Sequence, residues 1–352
     1  MFLTLLHPAQ NGGYLRRGRV RFVVATLLWF SLGQFGCAQM DGVDRASARE
    51  QAAGSSQLTC VPVSISRRPP QPPFGRPLGL PIPAFSVAGG AVAYGTKINL
   101  QVPNLPAGAT LEYSSDSGKT WTAGAAVPVV RSGTILGRTR INDLTSELTR
   151  ASFTLYFRRM LVIGNSIMAH APAPELGWYN ANGMAASAPE TDFVHLLTAR
   201  LTTLNPSVGV KLQSGGNFER QFGTSTYSLD EFNDPLKTFQ PDLIVLRIGE
   251  NVDDGAVVSR DFAGNFRRLV ERLTTYGQPV KLVCSTSVWY RPQTDAVIRK
   301  VAAEKTIPLA DLRDMLDQRQ FFASQYTNPD VAAHPNDAGM QRIADRLWAI
   351  IP

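Results

Sequence analysis

The chain has 352 residues, 44% hydrophobic and 18% charged, which is the composition of a soluble globular protein and too long for one ordinary domain. The net charge of +7 suggests a polyanionic partner, yet Arg16, Arg17, Arg19 and Arg21 sit in a leader-like segment and no acid precedes Asp41. Without that segment 31 basic residues face 28 acidic ones, a scattered excess of +3 that excludes an electrostatic nucleic-acid footprint.

The four arginines precede the apolar run Phe22 to Leu32, which has the length of a secretory signal core and falls short of a membrane span. Gly36 and Ala38 place small residues where a signal peptidase reads, so residues 1–38 read as a signal peptide cut after Ala38. The mature chain is then exported and has no stable membrane span. Phe35-Gly36-Cys37 offers a second reading, a lipoprotein anchored through Cys37, although Gln34 stands where a leucine is expected; an uncleaved anchor is a third. Residues 39–83 are rich in Ala, Ser, Gln and then Pro, including Arg67-Arg68-Pro69-Pro70-Gln71-Pro72-Pro73, and read as a linker. Cys60 and Cys284 remain to pair or not; Cys284 closes the apolar run Val280 to Val283 and reads as a buried strand residue. No metal-ligand spacing is present, and no metal or cofactor is expected.

From Ala84 to Phe157 short alternating runs recur between Gly, Pro and Asp, among them Lys97 to Val102, Thr110 to Tyr113 and Phe153 to Phe157. Several short strands at this spacing predict a small β-sandwich. Ser114 to Trp121 resembles a single Asp-box hairpin, and the segment resembles the Ig-like accessory modules of secreted carbohydrate-active enzymes. Its Gly118-Lys119-Thr120 is not a phosphate loop, because Tyr113 occupies the place of the required earlier glycine.

Residues 158–352 alternate strand and helix patterns, which implies a parallel sheet with helices on both faces, a three-layer α/β/α sandwich. Strands are expected at Met160 to Ile163, Val208 to Leu212, Leu243 to Ile248, Val280 and Ile307 to Leu309. Helices are expected near Phe193 to Leu201, Arg260 to Tyr276, Thr294 to Glu304 and Gln341 to Trp348. The first strand ends in Gly164-Asn165-Ser166, so Ser166 stands at the carboxyl edge, where open α/β sheets hold ligands and where a following helix would aim its free N–H groups. The third strand ends in Gly249, which brings Glu250 and Asn251 to the same edge. His334 precedes a proline and an expected N-cap, in a loop that spares a histidine from packing. His170 to Ser187 forms an insertion read as a loop over the site.

A strand-end serine, a strand-end asparagine and a late histidine, in that order, resemble the SGNH or GDSL-type hydrolases over roughly the last two hundred residues. The resemblance implies a flavodoxin-like fold and ester hydrolysis. It assigns Ser166 as nucleophile, His334 as general base, and Asn251, the Ser166 N–H and a glycine in Ser214-Gly215-Gly216-Asn217 as oxyanion donors, leaving Gly215 and Gly216 both open. The chain departs from the family pattern in reading Gly164-Asn165-Ser166-Ile167 instead of GDS and Gly249-Glu250-Asn251-Val252 in place of G-x-N-D. It also carries Asp330 four residues before His334, where the family spaces its triad aspartate by three. The Asp330 carboxylate is expected on the imidazole through a bulged loop, with a backbone carbonyl as the alternative. His170 and Glu250 are candidates for substrate binding; His195 reads as a packed or surface helix residue, and Glu219 and Arg220 as a substrate contact or a surface ion pair. The function that follows is an exported serine esterase acting on small-molecule or glycan esters, acetyl esters of carbohydrate first. A lipid or small-ester hydrolase and a glycan-binding protein with a degenerate site are the alternatives.

Overall fold

The computed structural model describes residues 79–351. The signal, lipoprotein and linker readings, with Cys37 and Cys60, therefore fall outside the described residues, apart from the last few linker positions. Among the described residues no helix is long and apolar enough to cross a membrane.

Residues 84–156 form two β-sheets. One is antiparallel, in the order Ala84–Phe85, Thr96–Gln101, Ala126–Val129; the other runs Gly89–Ala93, Thr149–Tyr156, Gly133–Ile141, Thr110–Ser114, Thr122–Ala123. Alternation along Thr96–Gln101 sends Ile98 and Leu100 inward and Lys97, Asn99 and Gln101 outward, as a half-buried strand requires. Ile98, Leu100, Val127 and Val129 of one sheet pack on Ile135, Ala151, Phe153 and Leu155 of the other. The Asp116 carboxylate closes the hairpin after Ser114 by accepting the Ser114 hydroxyl (2.7 Å) and the Thr120 N–H (3.0 Å).

The second region is built on five parallel strands: β1 (Arg159–Gly164), β2 (Gly209–Ser214), β3 (Leu243–Leu246), β4 (Lys281–Ser285) and β5 (Leu309–Ala310), in the order β2-β1-β3-β4-β5. The six helices are α1 (Phe193–Leu204), α2 (Gly216–Gln221), α3 (Phe262–Thr274), α4 (Pro292–Glu304), α5 (Pro329–Ala332) and α6 (Asp337–Trp348). The apolar runs of β1 and β3 lie between two cores. Met160, Val162, Leu243 and Val245 face α1 and α6, while Leu161, Ile163, Ile244 and Leu246 face α2, α3 and α4. That double burial is why these strands are continuously apolar and do not alternate. In α3, Phe262, Phe266, Leu269, Val270 and Leu273 form the inward stripe, and the Asp261 side chain caps its start by accepting the Gly264 N–H. Leu269 is fully buried, so Leu269→Ala should cost about 2–5 kcal/mol. Cys284 lies inside the second core, where burial pushes its thiol up to about 12.

One local expectation is corrected. No helix follows Ser166: the chain turns there, with the Met168 and Ala169 N–H groups returning to the Asn165 carbonyl (2.9 and 3.2 Å), and α1 begins only at Phe193. Where the chain passes from sandwich to sheet, the Arg158 and Arg159 N–H groups donate to the Asp242 carboxylate at 2.9–3.1 Å. Tyr94 stacks on Phe157 beside them (5.5 Å, 25°). The sandwich thus meets the amino edge of the sheet, opposite Ser166.

Candidate active site

The topology places the ends of β1, β2 and β3 side by side around the point where the strand order reverses, the usual site of ligand binding in such sheets. Ser166 follows β1 in a turn held by backbone bonds and by the Asn165 side chain, whose Oδ1 accepts the Ile167 N–H (3.2 Å). Its carbonyl accepts the Met184 N–H (2.9 Å), and among the described residues its own N–H has no acceptor. The Ser166 hydroxyl lies 2.7 Å from Nε2 of His334.

His334 comes from the turn after α5. The backbone there tightens, because the His334 N–H goes back to the Val331 carbonyl and leaves the Asp330 carbonyl without its helical partner. The imidazole takes that place, with Nδ1 2.7 Å from the Asp330 carbonyl oxygen. A carbonyl only accepts, so Nδ1 carries the proton and Nε2 is left to accept from Ser166. Burial pushes the His334 pKa below its ordinary value, which keeps the ring neutral near pH 7. Trp289, after β4, stands edge-on to the ring (5.5 Å, 89°) and donates its indole N–H to the Ala333 carbonyl (2.8 Å).

Beneath this pair lies a buried polar cluster. The Asn165 amide nitrogen donates to Glu219 (3.0 Å) and to Glu250 (2.8 Å). Glu250 also receives the Val288 N–H (3.0 Å) and the Arg247 guanidinium (2.6 Å). Arg247 is fully buried, with its guanidinium 5.7 Å from the Phe193 ring centroid. Glu219 receives the Gly249 N–H (2.7 Å), the Asn251 N–H (3.2 Å) and the Asn251 amide (2.9 Å). Burial and the neighbouring Glu250 charge push the Glu219 pKa up. Burial pushes Glu250 the same way, but Arg247 and the donors from Asn165 and Val288 outweigh it, and its pKa falls below the ordinary value.

The chain matches the model of the GDSL-like lipase/acylhydrolase family over residues 162–342, just over half of its 352 residues. The chain belongs to that family. It is accordingly a hydrolase of ester bonds. No curated protein matches it. Solved structures similar to it include the psychrotrophic esterase EstA from Pseudoalteromonas sp., 16% identical, covering 55% of this chain and 96% of that one, with a TM-score of 0.38. A family 3 carbohydrate esterase from Clostridium thermocellum is 17% identical over 55% of this chain and 94% of its own, with a TM-score of 0.37. A family two carbohydrate esterase from Cellvibrio japonicus is 15% identical over 73% of this chain and 88% of its own, with a TM-score of 0.38.

For this GDSL-like hydrolase, the residues expected from sequence fall into two groups. Ser166, His334, Asn251, Gly215 and Gly216 come to one edge, and the two glycines part company there. The Gly215 N–H is spent on the Gly164 carbonyl (2.7 Å), and a side chain at that position would meet Ile248 at 2.7 Å, so Gly215 serves packing. The Gly216 N–H faces only the Ser214 hydroxyl (3.2 Å). His170 is half-buried nearby, its Nδ1 2.6 Å from the Ala171 carbonyl, and His195 is engaged with Asp192 at the start of α1.

Three expectations are corrected by the geometry. The Asp330 carboxylate is not on the imidazole: Asn328 caps α5, Pro329 starts it, and Asp330 in the first turn exposes its side chain and offers its carbonyl. Glu250 borders the cleft beside Asn251, but its side chain is 1% exposed and its carboxylate is committed to Arg247, Asn165 and Val288 instead of standing free for a substrate. Glu219, read as a surface or substrate-facing residue, is wholly buried. Its signal was present, because on a helix it falls on the same stripe as Phe218 and Phe222. Trp289 was missed as well, although an aromatic in the loop a few residues beyond a predicted strand is a recognisable cue. It borders two clefts. One, about 680 Å³, is lined by Val288, Tyr290, Leu316, Phe322 and Ala333; the other, about 490 Å³, by Arg220, Asn251, Asp253 and Arg291.

The insertion ties the site together. The His170 N–H bonds the Asn182 carbonyl (3.0 Å), and Trp178, Met184 and Ala185 pack on Ala323 and Val331 beside the histidine turn. Ser187 fastens the far end to Asp337 at the start of α6.

Proposed function

We propose that the protein is an exported serine esterase that removes acyl groups, acetyl first, from carbohydrate. Ser166 acts as nucleophile, His334 as base, and the Ser166 N–H, the Gly216 N–H and the Asn251 amide as oxyanion donors. The observation that carries the reading is the 2.7 Å contact between the Ser166 hydroxyl and Nε2 of a histidine whose tautomer is fixed by the Asp330 carbonyl. In this reading His334 takes the hydroxyl proton as Oγ bonds to the ester carbon, and the carbonyl electron pair moves onto oxygen against the three donors. The intermediate collapses, the ester C–O bond breaks, and the imidazolium passes its proton to the departing alkoxide. Water repeats the sequence and frees the acid. The alcohol leaves on the histidine side, where Trp289, Tyr290 and Phe322 offer aromatic surface to the apolar face of a sugar.

The apolar residues of the same cleft, Val288 and Leu316, favour a second reading in which a longer acyl chain or a lipid ester is taken. Hydrolysis of acetylated sugars measured against esters of increasing acyl length tests both: a preference for acetyl sugars supports the first, a maximum at longer chains the second, and no turnover on any ester contradicts both. The export reading is tested by N-terminal sequencing of protein recovered outside the cytoplasm. It calls for a start at Gln39, whereas a lipid-modified Cys37 replaces it with the lipoprotein reading.

A further inference from the structure

We propose that Glu219 is a positioning residue for ester hydrolysis, its buried carboxylate fixing the Asn251 amide and tying the Gly249–Asn251 turn to the turn that carries Ser166. This rests on the reading of Asn251 as an oxyanion donor.

Glu219 is 0% exposed and among the described residues has no cation of its own, since Arg247 is committed to Glu250. A charge in that position is unfavourable unless many donors meet it. Four do: the Gly249 N–H, the Asn251 N–H and the Asn165 amide on Oε1, and the Asn251 amide on Oε2. Every one belongs to the site or to the turn beside it. Among the described residues no acceptor touches the carboxyl group, so its contacts call for a group that accepts at both oxygens.

That requirement fixes Asn251. A carboxylate oxygen can be met only by the nitrogen end of the Asn251 amide, so one Nδ2 hydrogen is held by Glu219 and the other is left for the developing oxyanion. A neutral amide at position 219 would keep one oxygen for the three donors on Oε1 and turn its NH2 toward Asn251, drawing the Asn251 oxygen inward and swinging the donor out of register. The same carboxylate reaches the nucleophile's turn through Asn165, whose Oδ1 accepts the Ile167 N–H (3.2 Å). It also accounts for Asn at 165 in place of the family's aspartate. With Glu219 and Glu250 both on the Asn165 nitrogen, an aspartate there would set three carboxylates against one guanidinium.

The test is a double-mutant cycle on a chromogenic acetyl ester, using the full chain, Glu219→Gln, Asn251→Ala and the combination. Glu219→Gln should lower kcat about a hundredfold, the scale of one lost oxyanion donor, with KM within about threefold of the parent. In the Asn251→Ala background the same change should lower kcat by no more than about threefold, because its effect runs through Asn251. Glu219→Asp, which keeps the charge but shortens the reach, should retain more kcat than Glu219→Gln. Three results overturn the proposal: Glu219→Gln with near-parent kcat while Asn251→Ala is impaired, losses that simply multiply, or a failure of both Glu219 variants to fold. Near-parent kcat in Asn251→Ala would instead remove the oxyanion reading beneath it.

Discussion

The two ends of the one parallel sheet are built to different standards. At the amino edge Asp242, Arg158 and Arg159 exchange short backbone-to-carboxylate bonds, and Tyr94 stacks on Phe157. At the carboxyl edge Glu219 and Glu250 are buried with Arg247, whose Nε and Nη1 have no hydrogen-bond partner among the described residues, and Gly249 turns with φ 141°. The Ser166 N–H there has no acceptor among the described residues. The same strands therefore end in satisfied contacts on one side and in free donors and crowded carboxylates on the other. On the proposed reading, the amino edge joins the two regions while the carboxyl edge leaves the Ser166 N–H open for a substrate.

Substitutions at the two edges should separate these roles. The largest effect is expected for Ser166→Ala and His334→Ala, which should each lower kcat by about ten-thousandfold or more with unchanged circular dichroism. Near-normal turnover in either would move the chemistry elsewhere. Asn251→Ala should follow, at about a hundred- to a thousandfold in kcat.

The pH profile sharpens the same edge. His334 must be neutral to accept a proton, and burial favours the neutral form, so kcat/KM should hold to below pH 6.5 and fall only as pH drops through the lowered pKa. An acid limb above pH 6.5 would mean that the ring is not desolvated as described. Asp330→Asn leaves the carbonyl that orients the ring, and turnover should stay within about threefold of the parent; a loss near ten-thousandfold, the cost of a triad aspartate elsewhere, would restore the carboxylate. At the opposite edge Asp242→Ala strips a buried acceptor from two N–H groups. It should lower stability by about 1–3 kcal/mol in urea titration while kcat/KM of the folded enzyme stays within about twofold. A matching loss of activity would couple the edges.

Much of this edge was legible in the chain itself. Met160 to Ile163 and Leu243 to Leu246 are continuous apolar runs because both faces of the sheet are covered; Gly164 follows the first at once, and Gly249 lies three residues beyond the second. Ser166, Asn251 and His334 stand out because strand ends and terminal loops spare polar residues from packing. Asp330 misled because its separation of four from His334 reads as a distorted triad spacing. It is also the helical offset from a carbonyl to the fourth residue on, and Asn328-Pro329 announces the helix that makes it so. Glu219 and Glu250 were misplaced because the donors that let them be buried, Gly249 and Asn165 for the first and Asn165 and Val288 for the second, come from distant turns; the helical stripe of Glu219 and the nearby Arg247 of Glu250 were the only local cues.

The central claim is that Ser166, activated by His334, attacks the ester. Labelling the protein with a fluorophosphonate and mapping the adduct by peptide mass spectrometry tests it most directly. The adduct is expected on Ser166, with ester turnover lost in proportion to labelling and both much slowed in His334→Ala. An adduct on another serine, or full turnover after complete labelling of Ser166, would contradict it.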